Sequence, residues 1–300
     1  MPGSHGSRPT RPSSTRRRIV PSESTEVGMP RWYGPAGMAT DRIGLFGPDT
    51  VTWRVNREAV LLAGGGRALL LQVAHPLVAA GVVEHSRYEA DPWGRLYRTL
   101  DLTTKIVFGD AAVSAEASRR LRARHASVHG VAPDGRRYDA NDPDLLLWVW
   151  ATLVDSALVV YQRYVRSLSL AEVERYYREQ TRFAVACGVP EGWWPGSHGA
   201  FVEYFERVVR DECVVGEDAR RIADGVLHPG LPWPVRAVFE GVVGLVTVGL
   251  LPRVLRERYG LEWGPRREAA LAASAASVRR VLPLLPGVLR EFPAARRRVW

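Results

Sequence analysis

Residues 69–109 read LLLQVAHPLVAAGVVEHSRYEADPWGRLYRTLDLTTKIVFG, and residues 125–130 read HASVHG. Apolar residues recur in these segments at the three- and four-residue spacing of an α-helix, and Gly109 is a helix-stop signal. The same segments contain imidazole and guanidinium groups, which are costly to bury unless they have partners. We therefore expect helices that pack around something polar.

Start and stop signals for helices continue along the chain. Helices are predicted over residues 51–63, 67–80, 93–108, 111–128, 145–165 and 171–187. Asn141 and Asp142 place a cap residue before Pro143, which opens the helix over 145–165. A capping box at Ser169 starts the helix over 171–187 and Gly188 closes it, whereas the glycine triplet at 64–66 is interpreted as a helix break. Strand-like alternation is scarce. The prediction is an all-α class with a single multi-helix domain over residues 36–300 that encloses a ligand pocket, after a disordered Arg/Ser/Pro-rich tail at 1–35.

Composition excludes several functional classes. The formal net charge is +9, but much of the excess lies in terminal arginine runs and no nucleic-acid motif accompanies it, so no nucleic-acid partner is expected. The longest uncharged apolar run, residues 241–252, is shorter than the roughly 20 residues of a membrane span. With only two cysteines and no export signal, we expect a cytoplasmic protein. Residues 266–290 mix leucine and valine with arginine, which fits a core-packed terminal helix or a helix lying in a membrane interface.

Catalytic templates are few. The sequence has no Gly-x-Ser-x-Gly elbow, and the glycine triplet lacks the Lys-Ser/Thr of a phosphate loop. His125 and His129 are four residues apart, hence on one face of one helical turn, but no glutamate follows His125 as in zinc proteases. A single helix-held histidine facing an apolar pocket is the usual proximal ligand of haem iron, and nearby arginines would pair with haem propionates. The alternative is that the histidine is an ordinary residue of the core or surface and not a ligand.

From about residue 54 to residue 259 the chain resembles the catalytic domain shared by bacterial latex-clearing rubber oxygenases and fungal MpaB-type oxygenases, most closely the actinobacterial MpaB-like branch. The blocks that carry the resemblance are LLLQVAHPLVAAG at 69–81, EHS at 84–86, RLYRT at 95–99, HASVHG at 125–130, YDANDPDLLLWVWAT at 138–152, GVP at 188–190 and TVGLLP at 247–252. Their number and order make the match specific for the domain, though not for a substrate.

The resemblance implies an all-helical fold around a b-type haem. Arg95, Arg98 and Thr99 match the Arg-x-x-Lys-Thr cluster that lies beside the haem in rubber oxygenases, with Arg98 in place of lysine. The iron-ligating histidine maps to His125, and His129 is its rival. Rubber oxygenases also carry a glutamate near the distal face, and no residue here clearly matches it; Glu84 is the nearest acid in a suitable block.

The expected function is a haem b-dependent oxygenase that acts with O₂ on a lipophilic, isoprenoid-like small molecule. His75 stands in an apolar block and is expected either to supply a distal hydrogen bond or to be a buried histidine bonded to a backbone carbonyl. Arg95, Thr99 and His75 are thus the catalytic candidates. The alternative is a non-catalytic protein that binds haem or a hydrophobic ligand, with peripheral membrane contact.

Overall fold

A computed structural model describes residues 44–86 and 92–296, except for the side chains at 92, 93, 95, 96, 237 and 238. The predicted tail at 1–35 lies outside these residues. The helices and strands run α1 Val51–Asn56, α2 Gly65–Ala74, α3 Pro76–His85, α4 Pro92–Phe108, α5 Ala111–His125, β1 His129–Val131, β2 Arg137–Asp139, α6 Pro143–Tyr164, α7 Leu170–Cys187, α8 His198–Asp211, α9 Glu217–Leu227, α10 Val235–Phe239, α11 Leu245–Leu250, α12 Arg253–Tyr259, α13 Pro265–Val281, α14 Gly287–Arg290 and α15 Pro293–Arg296. The predicted all-α class is confirmed, with one small β-hairpin added.

Helix α6 lies in the centre of the core. Its Trp148, Trp150 and Ala151 are almost completely buried, and burial of each large apolar side chain contributes about 1.5–3 kcal/mol. By length and composition alone the helix could cross a membrane, since an 18-residue window has a mean hydropathy of 1.5, but 67% of that window is buried inside the protein. Its apolar character is accounted for by packing against α2 and α7.

Local capping chemistry sets the ends of α6 and α7. Asp142 caps α6 by accepting from the backbone N–H groups of the first turn, directly before Pro143. Ser169 forms the predicted capping box with Glu172 at the start of α7. At the other end Gly188 adopts φ 106°, in the left-handed region that favours glycine. These predicted helix ends are confirmed.

The predicted helix over 67–80 is wrong in one respect, because the chain bends sharply within it. Helix α2 ends at Ala74, and the segments before and after the bend meet at 108°. His75 has an extended conformation with ψ 121° because the ring of Pro76 clashes with a helical residue before it. The bend places His75 at the start of α3 rather than in the middle of a longer helix.

The predicted helix over 111–128 is also too long. Helix α5 ends at His125, and His129 pairs with Asp139 in the antiparallel hairpin of β1 and β2. The hairpin packs on α3 around the buried ring of Tyr138. His125 and His129 therefore do not share the face of a helix.

The predicted helix over 51–63 is wrong, because α1 ends at Asn56 and residues 59–64 form a separate 3₁₀-helix. This 3₁₀-helix passes directly into α2 at Gly65, so the glycine triplet marks a change of helix type and not the predicted break. The third glycine has a packing role as well. A Cβ at Gly66 would lie 2.4 Å from Oγ1 of Thr247, so the glycine is needed for α2 and α11 to approach each other.

The segment 266–290 is not one continuous helix. Helix α13 ends at Val281, a 3₁₀ turn covers Leu282–Leu284, and α14 follows after Pro286. Leu271, Ala275 and Leu282 are buried, so one side of this segment packs on the core as the first of the two alternatives predicts.

Candidate functional site

Helices α4 and α5 form an antiparallel pair joined by a two-residue connection, Gly109-Asp110. The chain at Gly44, before α1, packs closely against this connection, since a Cβ at Gly44 would lie 2.0 Å from the carbonyl oxygen of Gly109. Arg95 stands thirteen residues before the end of α4, and His125 stands fourteen residues after the start of α5. At 1.5 Å per residue, the two positions are at nearly the same level of the helix pair.

Two of the three residues of the predicted arginine cluster have described side chains. Arg98 and Thr99 are at exposed positions of α4, and Arg98 lies about one turn nearer the connection than Arg95. The side chain of Arg95 is outside the described part of the structure. Helices α4 and α5 contact each other, and the nearly equal distances from their connection place the turn with Arg95 and Arg98 at about the level of the turn with His125.

His125 closes α5 with a half-buried imidazole. Its Nδ1 is buried and has no hydrogen-bond partner among the described residues. Burial lowers the pKa of His125 below its ordinary value, repulsion by Arg124 lowers it further, and Asp139 partly opposes both. The ring is therefore neutral near pH 7, and a neutral imidazole is the form that coordinates a metal ion.

His129 has a different environment. Its side chain is exposed on β1, and its backbone carbonyl lies 3.2 Å from Nε2 of His85. A carbonyl only accepts, so Nε2 of His85 carries the proton and donates to it. The structure thus uses the backbone of His129 to position a neighbouring histidine.

A polar cluster joins the end of α3 to the hairpin. The hydroxyl of Tyr138 donates to Oε2 of Glu84 and lies 3.1 Å from Nε2 of His85. Burial raises the pKa of Tyr138, and the hydrogen bond to Glu84 raises it further, so the phenol stays protonated. A Cβ at Gly130 would lie 2.6 Å from the Tyr138 hydroxyl, so the glycine makes the cluster possible. Tyr138 is not among the predicted site residues, although it and Gly130 lie in two of the segments that carry the family resemblance, 138–152 and 125–130.

His75 occupies the bend between α2 and α3. Its ring is 7% exposed, and its buried Nδ1 has no hydrogen-bond partner among the described residues. Nε2 lies 3.9 Å from Oε2 of Glu212, just after α8. Burial lowers the pKa of His75, while the charge of Glu212 opposes the shift. The side chain of His75 is thus a neutral imidazole. Its Nδ1 does not make the hydrogen bond to a backbone carbonyl that was one of the two expectations.

The sequence does not predict that Arg67 is buried. Arg67 of α2 is 3% exposed and pairs with Asp155 of α6 at 2.6 Å. It also donates to the hydroxyl of Ser156 at 2.7 Å and to the carbonyl of Leu250 at 2.6 Å. Its donors are therefore used inside the protein, which makes this a structural cluster of the core. The signal in the sequence was Asp155 within an otherwise apolar run.

The described residues contain no group of three or more His, Cys, Asp and Glu side chains placed to hold a metal ion. A haem needs only one protein ligand to its iron, and the neutral, partly buried His125 suits that role. Among the surface depressions of the described part, one of about 480 Å³ is lined by Pro234, Val235, Phe239, Val242 and Val243, away from this histidine. The pocket expected between the helices stays a prediction.

The buried histidines predict a dependence of stability on pH. Because the pKa values of His75 and His125 are lowered by folding, the unfolded chain binds more protons just below pH 6.5. The free energy of unfolding should therefore rise as the pH increases toward 6.5, by up to about 1.4 kcal/mol per pH unit for each histidine, and level off near pH 7. Urea unfolding between pH 5 and 7.5 measures this. The double variant His75→Gln/His125→Gln should reduce the slope of the curve relative to the wild type, and equal slopes in the two proteins would contradict the assignment.

Comparison with known proteins gives a match over most of the chain. The profile of a family described as "ER-bound oxygenase mpaB/B'/Rubber oxygenase, catalytic domain" matches residues 53–280. Uncharacterised proteins of Mycobacterium bovis and Mycobacterium tuberculosis are each 29% identical over 206 residues, which is 67% of this chain and 80% of theirs. No solved structure gave a significant match.

Proposed function

The chain belongs to the family of ER-bound MpaB-type and rubber oxygenase catalytic domains, and from that membership we propose a haem b-dependent oxygenase that uses O₂ on a lipophilic small molecule. The observation that carries the haem assignment is the neutral ring of His125, with a buried unpartnered nitrogen, at the level of Arg95 in the α4–α5 pair.

His125 is the residue proposed to hold the iron. Its Nδ1 has no hydrogen-bond partner among the described residues, so no hydrogen bond at that nitrogen fixes the tautomer of the ring. His129 is not proposed as the ligand, because its ring is exposed on β1. A bound haem would supply the iron at which O₂ is activated.

The proposed anchors for the propionates are Arg95 and Arg98. A guanidinium pairs with a carboxylate through two parallel hydrogen bonds, which gives both charge neutralisation and orientation. Thr99 is one residue further along the same helix and is proposed to orient a reacting group through its hydroxyl.

His75 is proposed to hold a hydrogen bond on the substrate side. Ala74 and Ala79, which flank it, are buried, so a ligand that reaches its free nitrogen would meet apolar surface. Since its pKa is lowered, His75 is a neutral donor or acceptor rather than a cation at pH 7. An apolar surround with a few polar groups favours a lipophilic substrate.

Oxygen consumption by haem-supplied protein tests the activity. We expect O₂ uptake that depends on an isoprenoid-like substrate, with a product that contains oxygen from ¹⁸O₂ by mass spectrometry. Haem-containing protein that consumes no O₂ with any of a panel of isoprenoids, fatty acids and sterols would instead support a non-catalytic haem-binding protein.

The arginine pair gives a separate prediction. Arg95→Gln/Arg98→Gln should reduce haem retention at pH 7 about tenfold or more, because each charged hydrogen bond contributes about 1.5–3 kcal/mol. Helix content by circular dichroism should be unchanged, since glutamine is also a good helix former. A matched control is Arg119→Gln/Arg120→Gln on the exposed face of α5, where both arginines pair with Glu116. Equal haem retention in the two double variants would refute the propionate assignment.

A further inference from the structure

Large apolar side chains are exposed together where the chain turns after α13. Val281, Leu284, Val288 and Leu289 are 52–82% exposed, and Leu62 of the neighbouring 3₁₀-helix is 46% exposed. Helix α14 packs against that 3₁₀-helix, so these five side chains belong to one region of the surface. We call them the apolar end patch.

Buried contacts fix the position of the segment that carries the patch. Leu282 is buried, and Arg290 donates through Nε and Nη2 to the two carboxylate oxygens of Glu58, at 2.8 and 2.7 Å. Glu58 is 1% exposed, and the backbone N–H of Phe292 donates to the carbonyl of Arg57. The exposed leucines are therefore presented by an anchored segment.

Basic side chains lie next to the patch. Arg279 is exposed in the last turn of α13, whereas the charge of Arg290 is paired with that of Glu58. Arg280 is exposed in the last turn of α13, directly before Val281. Apolar side chains that project from a basic surface complement the negative charge and the acyl region of an anionic bilayer.

The patch does not suit a protein partner. Pro283 and Pro286 lack N–H donors, and the segment consists of short helical turns, so it offers no strand edge for pairing. Five side chains are also far fewer than the roughly 20–30 residues per partner in a stable protein interface.

We propose that the apolar end patch docks this protein on the surface of a membrane that contains anionic lipids. Leu284 and Leu289, at 82% and 67% exposure, enter the interfacial region, and the neighbouring arginines contact the headgroups.

Flotation of the full chain with lipid vesicles tests the proposal. We expect binding to phosphatidylcholine vesicles that contain phosphatidylserine, about tenfold or more above binding to phosphatidylcholine alone. Leu284→Ser/Leu289→Ser should reduce the binding about tenfold or more, and Arg280→Gln should weaken the preference for phosphatidylserine. The matched control is Leu170→Ser/Val214→Ser, which removes two exposed apolar residues elsewhere and should bind like the wild type.

Three outcomes would overturn the proposal. One is that the wild type does not bind either vesicle, and another is that Leu284→Ser/Leu289→Ser binds as well as the wild type. The third is a dimer by light scattering that this variant dissociates, because the patch would then be an interface between copies of the chain. Circular dichroism verifies that the variants are folded.

Discussion

Replacement of His125 by alanine is expected to remove bound haem, from about one per chain to none, while His129→Ala retains it. The imidazole of His125 is the proposed ligand to the iron, so its removal takes away the bond that holds the haem iron. The ring of His129 is exposed and only its backbone carbonyl contacts His85, so its removal leaves the hairpin contacts in place.

The two variants are matched in size and lie four residues apart, so they separate ligation from general damage to this region. Haem content by the pyridine haemochrome assay and helix content by circular dichroism are the readouts. Loss of haem in His129→Ala with retention in His125→Ala would reverse the assignment. Equal retention in both would mean that neither residue ligates.

Arg67→Ala is expected to destabilise the protein by about 3–5 kcal/mol, which is a large share of the stability of an ordinary domain. The substitution leaves Asp155 without its cation between α2 and α6 and removes the donors to Ser156 and Leu250. The effect comes from the unpaired charge, so Arg67→Met/Asp155→Leu should recover much of the loss.

The control for this prediction is an ion pair of the same length on the surface. Arg253 contacts Glu257 at 2.6 Å, but the two side chains are 85% and 60% exposed. Arg253→Ala should destabilise the protein far less than Arg67→Ala, because solvent screens an exposed ion pair. Chemical unfolding of the three variants measures the differences, and similar values for Arg67→Ala and Arg253→Ala would contradict the structural role of Arg67.

The sequence predicts helix ends well where the chemistry is local. The capping box at Ser169, the cap at Asp142 and the stop at Gly188 each depend on contacts within four or five residues, and all are present. The bend at His75 was also encoded locally, by the proline that follows it. It was missed because the apolar periodicity continues across it.

Contacts between residues that are distant in the sequence cannot be predicted in this way. Arg67 and Asp155 are 88 positions apart, and Glu84 and Tyr138 are 54 apart, so their contacts depend on how the helices and the hairpin pack. The separation of His125 from His129 depends on the same packing, since the hairpin that ends the helix is stabilised by its contact with α3. The proposals for His125 and the arginine cluster come from the resemblance to a family, which carries information about distant contacts.

The haem content of the wild-type protein tests the central claim most directly. Protein produced with an adequate haem supply is predicted to show a Soret band and one b-type haem per chain by the pyridine haemochrome assay. Protein that shows no Soret band after incubation with haem, and in which metal analysis finds zinc or no metal, would contradict the account.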